Sequence, residues 1–165
     1  MERAHPEKPR YIRDIMSSPV VTVTPETSIQ EIARLMREHA VSAVPVVTAA
    51  GKLVGIITEI DLIARHAPPK APQYIPLLWG LIPLRFDDYA NYKEQVRHIL
   101  AVNAEQLMTR NPATVRPDDT IERAAELMIK PGHRSLPVMD GDKLVGIVTR
   151  TDLVRLIEDL EASDE

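Results

Sequence analysis

Cysteine is absent from the 165 residues. That absence excludes disulfides, thiolate metal sites and thiol nucleophiles. Aromatic residues make up 4% of the chain, with one Trp and one Phe, so the core must be aliphatic, built from Val, Ile, Leu, Ala and Met. Glycine occurs six times, and none of the glycine-rich patterns that cradle phosphates in nucleotide enzymes is found. No apolar run is long enough to cross a bilayer: the longest apolar-rich stretch, residues 75–84, contains Pro76, Gly80 and Pro83. The first ten residues are charged and lack the apolar centre of a signal peptide. A cytoplasmic protein with no membrane partner is expected. The formal charge of −4 includes no basic block, so nucleic acid is not an expected partner. The five histidines, His5, His39, His66, His98 and His133, show no paired metal spacing, and no nucleophile elbow surrounds any serine. Neither a metal site nor catalysis is expected.

What the sequence does contain is itself, twice. Residues 15–63 align with residues 107–154 over their whole length with a single one-residue gap. Met16 matches Met108, Pro25 matches Pro117, and Pro45 matches Pro137. The tails KLVGIITEIDL and KLVGIVTRTDL differ at three positions. Each copy reads as strand, helix, strand, strand, helix. Short strands are expected at 20–23 and 113–115. A helix follows, its apolar face set by Ile29, Ile32, Ala33, Met36 and Ala40 in the first copy and by Ile121, Ala124, Ala125 and Met128 in the second. Ser28 with Glu31, and Asp119 with Glu122, are candidate capping pairs. Two strands then meet at tight turns, one containing Gly51 and one reading Asp140-Gly141-Asp142. A last short helix opens near Asp61 and near Asp152. One copy has about 48 residues, which is marginal for independent stability. A single compact, pseudo-symmetric α/β (α+β) unit is therefore expected.

The pattern that carries chemistry is Thr-x-x-Asp after the hairpin: Thr58 to Asp61 and Thr149 to Asp152. Two readings stand side by side. The Asp can cap its own helix, returning to the backbone of the Thr. An ionised Asp can also accept from two neighbouring hydroxyls, such as those of a ribose. The two roles are compatible because a carboxylate has two oxygens.

With Ala43-Val44-Pro45-Val46 before the first hairpin and Gly55-Ile56-Ile57-Thr58 after it, and Ser135-Leu136-Pro137-Val138 and Gly146-Ile147-Val148-Thr149 in the second copy, the chain resembles a tandem pair of CBS motifs, a Bateman module. The resemblance implies motifs over 11–65 and 105–160, separated by an insertion over 66–104. It implies a regulatory module binding an adenine nucleotide or adenosine derivative (AMP, ADP, ATP or S-adenosylmethionine) in clefts between the motifs, with no required cofactor. A homodimer and an unknown effector protein are the implied partners. The competing expectation is a constitutive dimerisation or scaffold protein with vestigial clefts.

Val41-Ser42-Ala43-Val44-Pro45-Val46 and Gly132-His133-Arg134 also resemble segments of the gamma subunit of AMP-activated protein kinase. That likeness implies one cleft shared by Thr58, Asp61, His133 and Arg134 and another shared by Thr149, Asp152, Ser42 and Ala43. Pro112, Ala113, Val20 and Thr24 are further ligand-binding candidates, and because Asn111 and Pro112 stand where the first copy has Pro19 and Val20, the two adenine slots need not be alike. The first cleft would be the better phosphate site, with Glu59 as a repulsive neighbour. The second would have weaker phosphate contact, with Arg150 as its available cation.

The insertion opens with the proline-rich run 67–72, followed by an apolar stretch holding Trp79. A helix is expected over 87–103, with Tyr89, Tyr92, Val96, Ile99, Leu100 and Asn103 in helical spacing. The Trp and Leu cluster either covers its own module or forms an interface patch.

Overall fold

The computed structural model describes residues 9–77, 80–83, 85–130 and 133–162. The first repeat comprises α1 (Ile12–Ile15), α2 (Ile29–Glu38), β1 (Ala43–Val47), β2 (Leu53–Thr58) and α3 (Glu59–Ala64). The insertion adds β3 (Tyr74–Leu77), β4 (Gly80–Pro83) and α4 (Phe86–Leu100). The second repeat follows with α5 (Ala104–Leu107), β5 (Thr109–Arg110), α6 (Ile121–Ile129), β6 (Ser135–Asp140), β7 (Lys143–Thr149) and α7 (Arg150–Ala162).

Local chemistry accounts for the main elements. Ser28 caps α2 by accepting from the Glu31 N–H at 3.2 Å. Glu31 does not complete a capping box: its carboxylate is taken by Arg34, which also bonds Glu38 at 2.7 Å across the exposed face. In the second repeat the cap is Thr120, accepting from the Arg123 N–H at 3.3 Å. Asp119 instead closes the preceding turn by accepting from the Arg116 N–H at 2.8 Å. Gly51 and Gly141 turn the two hairpins at φ of 83° and 60°, conformations that favour glycine.

The short strands expected at 20–23 and 113–115 shrink to single parallel bridges, Val23 to Val46 and Val115 to Val138. Proline explains the truncation. Val23 donates to the Pro45 carbonyl and accepts from the Val47 N–H at 2.8 Å. Extending that parallel ladder backwards would need an N–H from Pro45, which has none. Pro137 imposes the same limit on the second copy.

The repeats are joined by exchange. The first core packs Ile32, Met36, Val44, Val46 and Ile57 with Ala104, Leu107 and Met108, which lead into the second repeat. The second core packs Ala124, Met128, Leu136, Val138 and Val148 with Ile12 of α1, which leads into the first. β5 extends the β1–β2 sheet, pairing Thr109 with Ile56. Ser17 makes the equivalent, shorter bridge to Ile147 beside β6–β7. A third cluster of Ala43, Ile56 and Ile147, with Val20 against it, sits between the two sheets. Ala33, expected on the buried face of α2, is exposed, and Ala40 lies beyond the helix at φ 51°.

The insertion helix ends three residues earlier than expected, at Leu100, because Asn103 caps α5, accepting from the Gln106 N–H at 3.1 Å. Arg65 takes the carbonyls of His98 and Ala101 and so ties the end of α4 to α3. Tyr92, Val96 and Ile99 are half-buried, whereas Tyr89 and Leu100 of the expected apolar face are exposed. The β3–β4 hairpin was not expected. Leu78, Trp79, Leu84 and Gly132 lie outside the described residues.

Candidate ligand-binding site

α7 begins where β7 ends, and its first turn faces the start of β1 in the other repeat. Between them lies a cavity of about 250 Å³. Its walls include Val20, Val21, Val41, Ser42 and Ala43 from the first repeat and Ile147, Thr149, Thr151, Asp152 and Arg155 from the second. Five of the sequence candidates, Val20, Ser42, Ala43, Thr149 and Asp152, therefore share one opening. Thr24 is not among its walls. It is exposed, and its hydroxyl lies 3.1 Å from that of Thr27 in the turn before α2.

Asp152 both caps and faces the cavity. Its Oδ2 accepts from the Thr149 N–H at 2.7 Å and from the Thr149 hydroxyl at 3.0 Å. Asp61 does the same in its own repeat, accepting from the Thr58 N–H at 2.8 Å and the Thr58 hydroxyl at 3.2 Å. Among the described residues neither Oδ1 takes a hydrogen bond, so each carboxylate keeps one oxygen for a ligand. The Thr hydroxyls have given their protons to Asp, so in this arrangement they present lone pairs rather than donors to a ligand. The N–H groups at the helix starts are also used internally: Glu59 donates to the Ser42 carbonyl at 2.9 Å and Arg150 to the Arg134 carbonyl at 3.3 Å. The N–H groups of Thr58, Glu59, Thr149 and Arg150 are thus committed to the fold.

The cation of this cavity is Arg155, not Arg150. Arg155 lies three residues beyond Asp152 on α7, a spacing that puts both side chains on one helix face. Sequence reasoning missed it, although the spacing was there to read. The position that matches it in the first repeat is Ala64.

No cavity seen among the described residues gathers the residues expected around Asp61. Thr58 and Asp61 are half-buried, Glu59 and Arg134 are exposed, and His133 is half-buried. Ala113 packs against the second core. Pro112 lines a different opening, a groove of about 670 Å³ between the two hairpin tips, with Lys52, Asn111 and Asp142. Asn111 turns the chain there at φ 47°, a conformation that Asn tolerates better than most residues. Although larger, this groove holds no Thr-x-x-Asp residue, and the smaller cavity has the better chemical case.

A cation from the insertion also lies within electrostatic reach of Asp61. Arg97 of α4 is held above the ordinary arginine range by its bond to Glu94 and, through space, by Glu94 and Asp61. Its guanidinium also donates to the Gln106 carbonyl at 2.7 Å. Glu94 is correspondingly held below the usual carboxylate range by Arg97. No group of three or more potential metal ligands occurs among the described residues, and no described helix is long and apolar enough to cross a membrane.

Comparison with known proteins gives this geometry a context. A similar curated sequence is an uncharacterized protein of Methanocaldococcus jannaschii, 34% identical over 152 residues, which are 88% of this chain and 90% of that one. A homoserine O-acetyltransferase of Methanohalobium evestigatum is 34% identical over 150 residues, 90% of this chain but 24% of the acetyltransferase, so the chain spans about a quarter of that protein. Among solved structures, CBSX2 in complex with AMP superimposes with a TM-score of 0.73 at 27% identity, covering 91% of this chain and 97% of that one. The CBS domain pair of protein MJ0100, solved with 5′-methylthioadenosine and S-adenosyl-L-methionine, gives a TM-score of 0.66 at 28% identity, covering 91% and 97%. The model of the CBS domain matches residues 12–67 and again residues 104–159, and the chain belongs to the CBS domain family as a tandem pair.

Proposed function

We propose that the chain is a non-catalytic regulatory module that binds an adenine nucleotide or adenosine derivative between its repeats, foremost in the Asp152 cavity. One observation carries the reading: Asp152, with Oδ1 uncommitted, stands in a cavity whose other walls include Val20, Val21, Val41 and Ile147. Those apolar walls suit a flat purine, and the carboxylate suits a ribose diol. Structural neighbours solved with AMP and with S-adenosyl-L-methionine support the ligand class. The volume of about 250 Å³ falls just under the usual range of roughly 300–1,000 Å³ for ligand pockets, favouring a mononucleotide over a triphosphate. The nucleotide acts by differential affinity, favouring one packing of the pair that an effector protein reads.

Titration calorimetry with AMP, ATP and S-adenosylmethionine tests the reading. AMP binds the unaltered chain, and Asp152→Ala abolishes the heat from this cavity while Asp61→Ala leaves it. Absence of binding at millimolar ligand sinks the proposal.

The module also acts as a homodimer on this reading. Ile60 and Ile63 on α3, and Val154 and Ile157 on α7, are 40%, 62%, 63% and 56% exposed, leaving exposed apolar residues on the corresponding helices of the two repeats, with Ile63 and Val154 at matching positions. Sedimentation at micromolar concentration distinguishes a dimer from a monomer.

A further inference from the structure

We infer that Arg155 makes the Asp152 cavity select an adenosine compound bearing a 5′ anionic group over the neutral nucleoside. The inference rests on the nucleotide reading above and adds to it the chemistry of the ligand's charged end. Among the described residues lining the cavity, Arg155 is the only cation and Asp152 the only anion. They sit three positions apart on α7, where side chains on one helix face are separated by about 5–6 Å. That spacing is comparable to the distance between the ribose hydroxyls and the 5′ phosphate of one nucleotide, so a ligand whose diol meets Asp152 carries its phosphate towards Arg155.

Several donors at this end of the cavity are already committed. The Thr149 N–H and hydroxyl are committed to Asp152, and the Arg150 N–H to the Arg134 carbonyl. The remaining side-chain donors, on Ser17, Ser42 and Thr151, are neutral hydroxyls. A guanidinium forms charge-assisted, forked bonds to phosphate that hydroxyls cannot match. Asp14 and Asp159 border an adjoining recess that shares Arg155 with the cavity, so a phosphate must compete with carboxylates for the guanidinium.

The selectivity belongs to one cavity. The matching position in the first repeat is Ala64. Arg97, the cation near Asp61, is bound to Glu94 and the Gln106 carbonyl.

Calorimetry on the full chain with adenosine and with AMP, using the unaltered protein, Arg155→Gln, Arg155→Lys and Asp152→Asn, tests the inference. AMP should bind the unaltered chain roughly tenfold or more tightly than adenosine, the scale of one charge-assisted contact. Arg155→Gln should bring the two affinities together by weakening AMP alone, and Arg155→Lys should retain part of the preference. Asp152→Asn should weaken both ligands. Equal binding of AMP and adenosine to the unaltered chain, or equal weakening of both by Arg155→Gln, overturns the inference while leaving the adenosine site in place. Failure of both ligands to bind the unaltered chain overturns the nucleotide reading and this inference together.

Discussion

Two glycines lie under the seam between the repeats, and they make a matched pair of perturbations with unequal consequences. A Cβ at Gly55 would approach the Sδ of Met108 too closely and come within 2.7 Å of its Cγ and 2.9 Å of its Cβ. A Cβ at Gly146 would lie 2.5 Å from Sδ, 3.0 Å from Cγ and 3.2 Å from Cβ of Met16. The difference is in what can move. Met108 is 1% exposed and its Cβ cannot swing away without shifting α5. Met16 is half-buried, and the tip of its flexible side chain can turn outward. Overpacking of a core costs about 1–3 kcal/mol, while replacing glycine in a strand returns about 0.5–1 kcal/mol of chain entropy. Gly55→Ala should therefore destabilise by about 2 kcal/mol or more, and Gly146→Ala by about 1 kcal/mol or less. For a chain of this size those losses correspond to roughly 4–8 °C and at most about 4 °C in Tm. Urea unfolding, with the midpoint read at constant slope, measures both. On the proposed reading, AMP affinity should follow the opposite order, because Ile147 beside Gly146 lines the Asp152 cavity. A Gly146→Ala loss equal to or larger than that of Gly55→Ala would refute the packing argument.

Ala40 adopts φ 51° at the end of α2 and forms part of the cavity wall. Ala40→Gly should stabilise the chain by about 0.5–1 kcal/mol by relieving the left-handed backbone, measured as a higher urea midpoint. Stability should fall in acid, with Asp14 contributing. The backbone N–H groups of Tyr11 and Arg10 hold the Asp14 carboxyl below its ordinary 3.8, and Arg34 and Arg97 hold Glu31 and Glu94 below 4.5. A depressed folded-state pKa stabilises above the unfolded value and is lost as pH falls through the folded one, so the window lies below about pH 4.5. Asp14→Asn should cost about 1 kcal/mol or less at pH 6. The gap should narrow as pH falls through the lowered pKa of Asp14, below 3.8; a gap that stays constant down to the acid limit of folding would count against the assignment.

The features legible in the sequence were those with local causes. Gly51 and Gly141 marked the hairpins, Ser28 marked the start of α2, and the repeat itself predicted pseudo-symmetry. The exchange of leading segments was not legible, because α1 and α5 span four residues each and are too short to show a helical period. The β3–β4 hairpin was obscured by Pro76 and Pro83, which argue against strands unless an edge is available. For the site, the grouping of Asp152 with Ser42 and Ala43 was implied by the family resemblance, and the three residues line one cavity. Arg155 lies beyond the Thr-x-x-Asp segment that carries the resemblance, although the contrast of Arg155 with Ala64 was present in the aligned copies.

On the proposed reading, that contrast favours the Asp152 side for the phosphate, where the sequence led to the expectation of the Asp61 side. The family likeness of His133 and Arg134 implied Asp61 as the better phosphate side, whereas the cavity seen among the described residues at a Thr-x-x-Asp pair has Asp152 and Arg155. The Asp61 side has instead become involved with the insertion: α4 packs on α3, Arg65 binds the last carbonyls of α4, and Arg97 lies within electrostatic reach of Asp61. The Asp152 cavity draws its walls from both repeats, so a ligand there spans the seam that the exchanged segments also hold. Binding that requires both walls stabilises only the packing that presents them together, by about 2.7 kcal/mol when free ligand reaches a hundred times its Kd. That amount is enough to shift a two-state equilibrium about a hundredfold. On the proposed reading, one cavity across the seam therefore supplies the differential affinity that regulation needs, without requiring the two Thr-x-x-Asp sites to act alike.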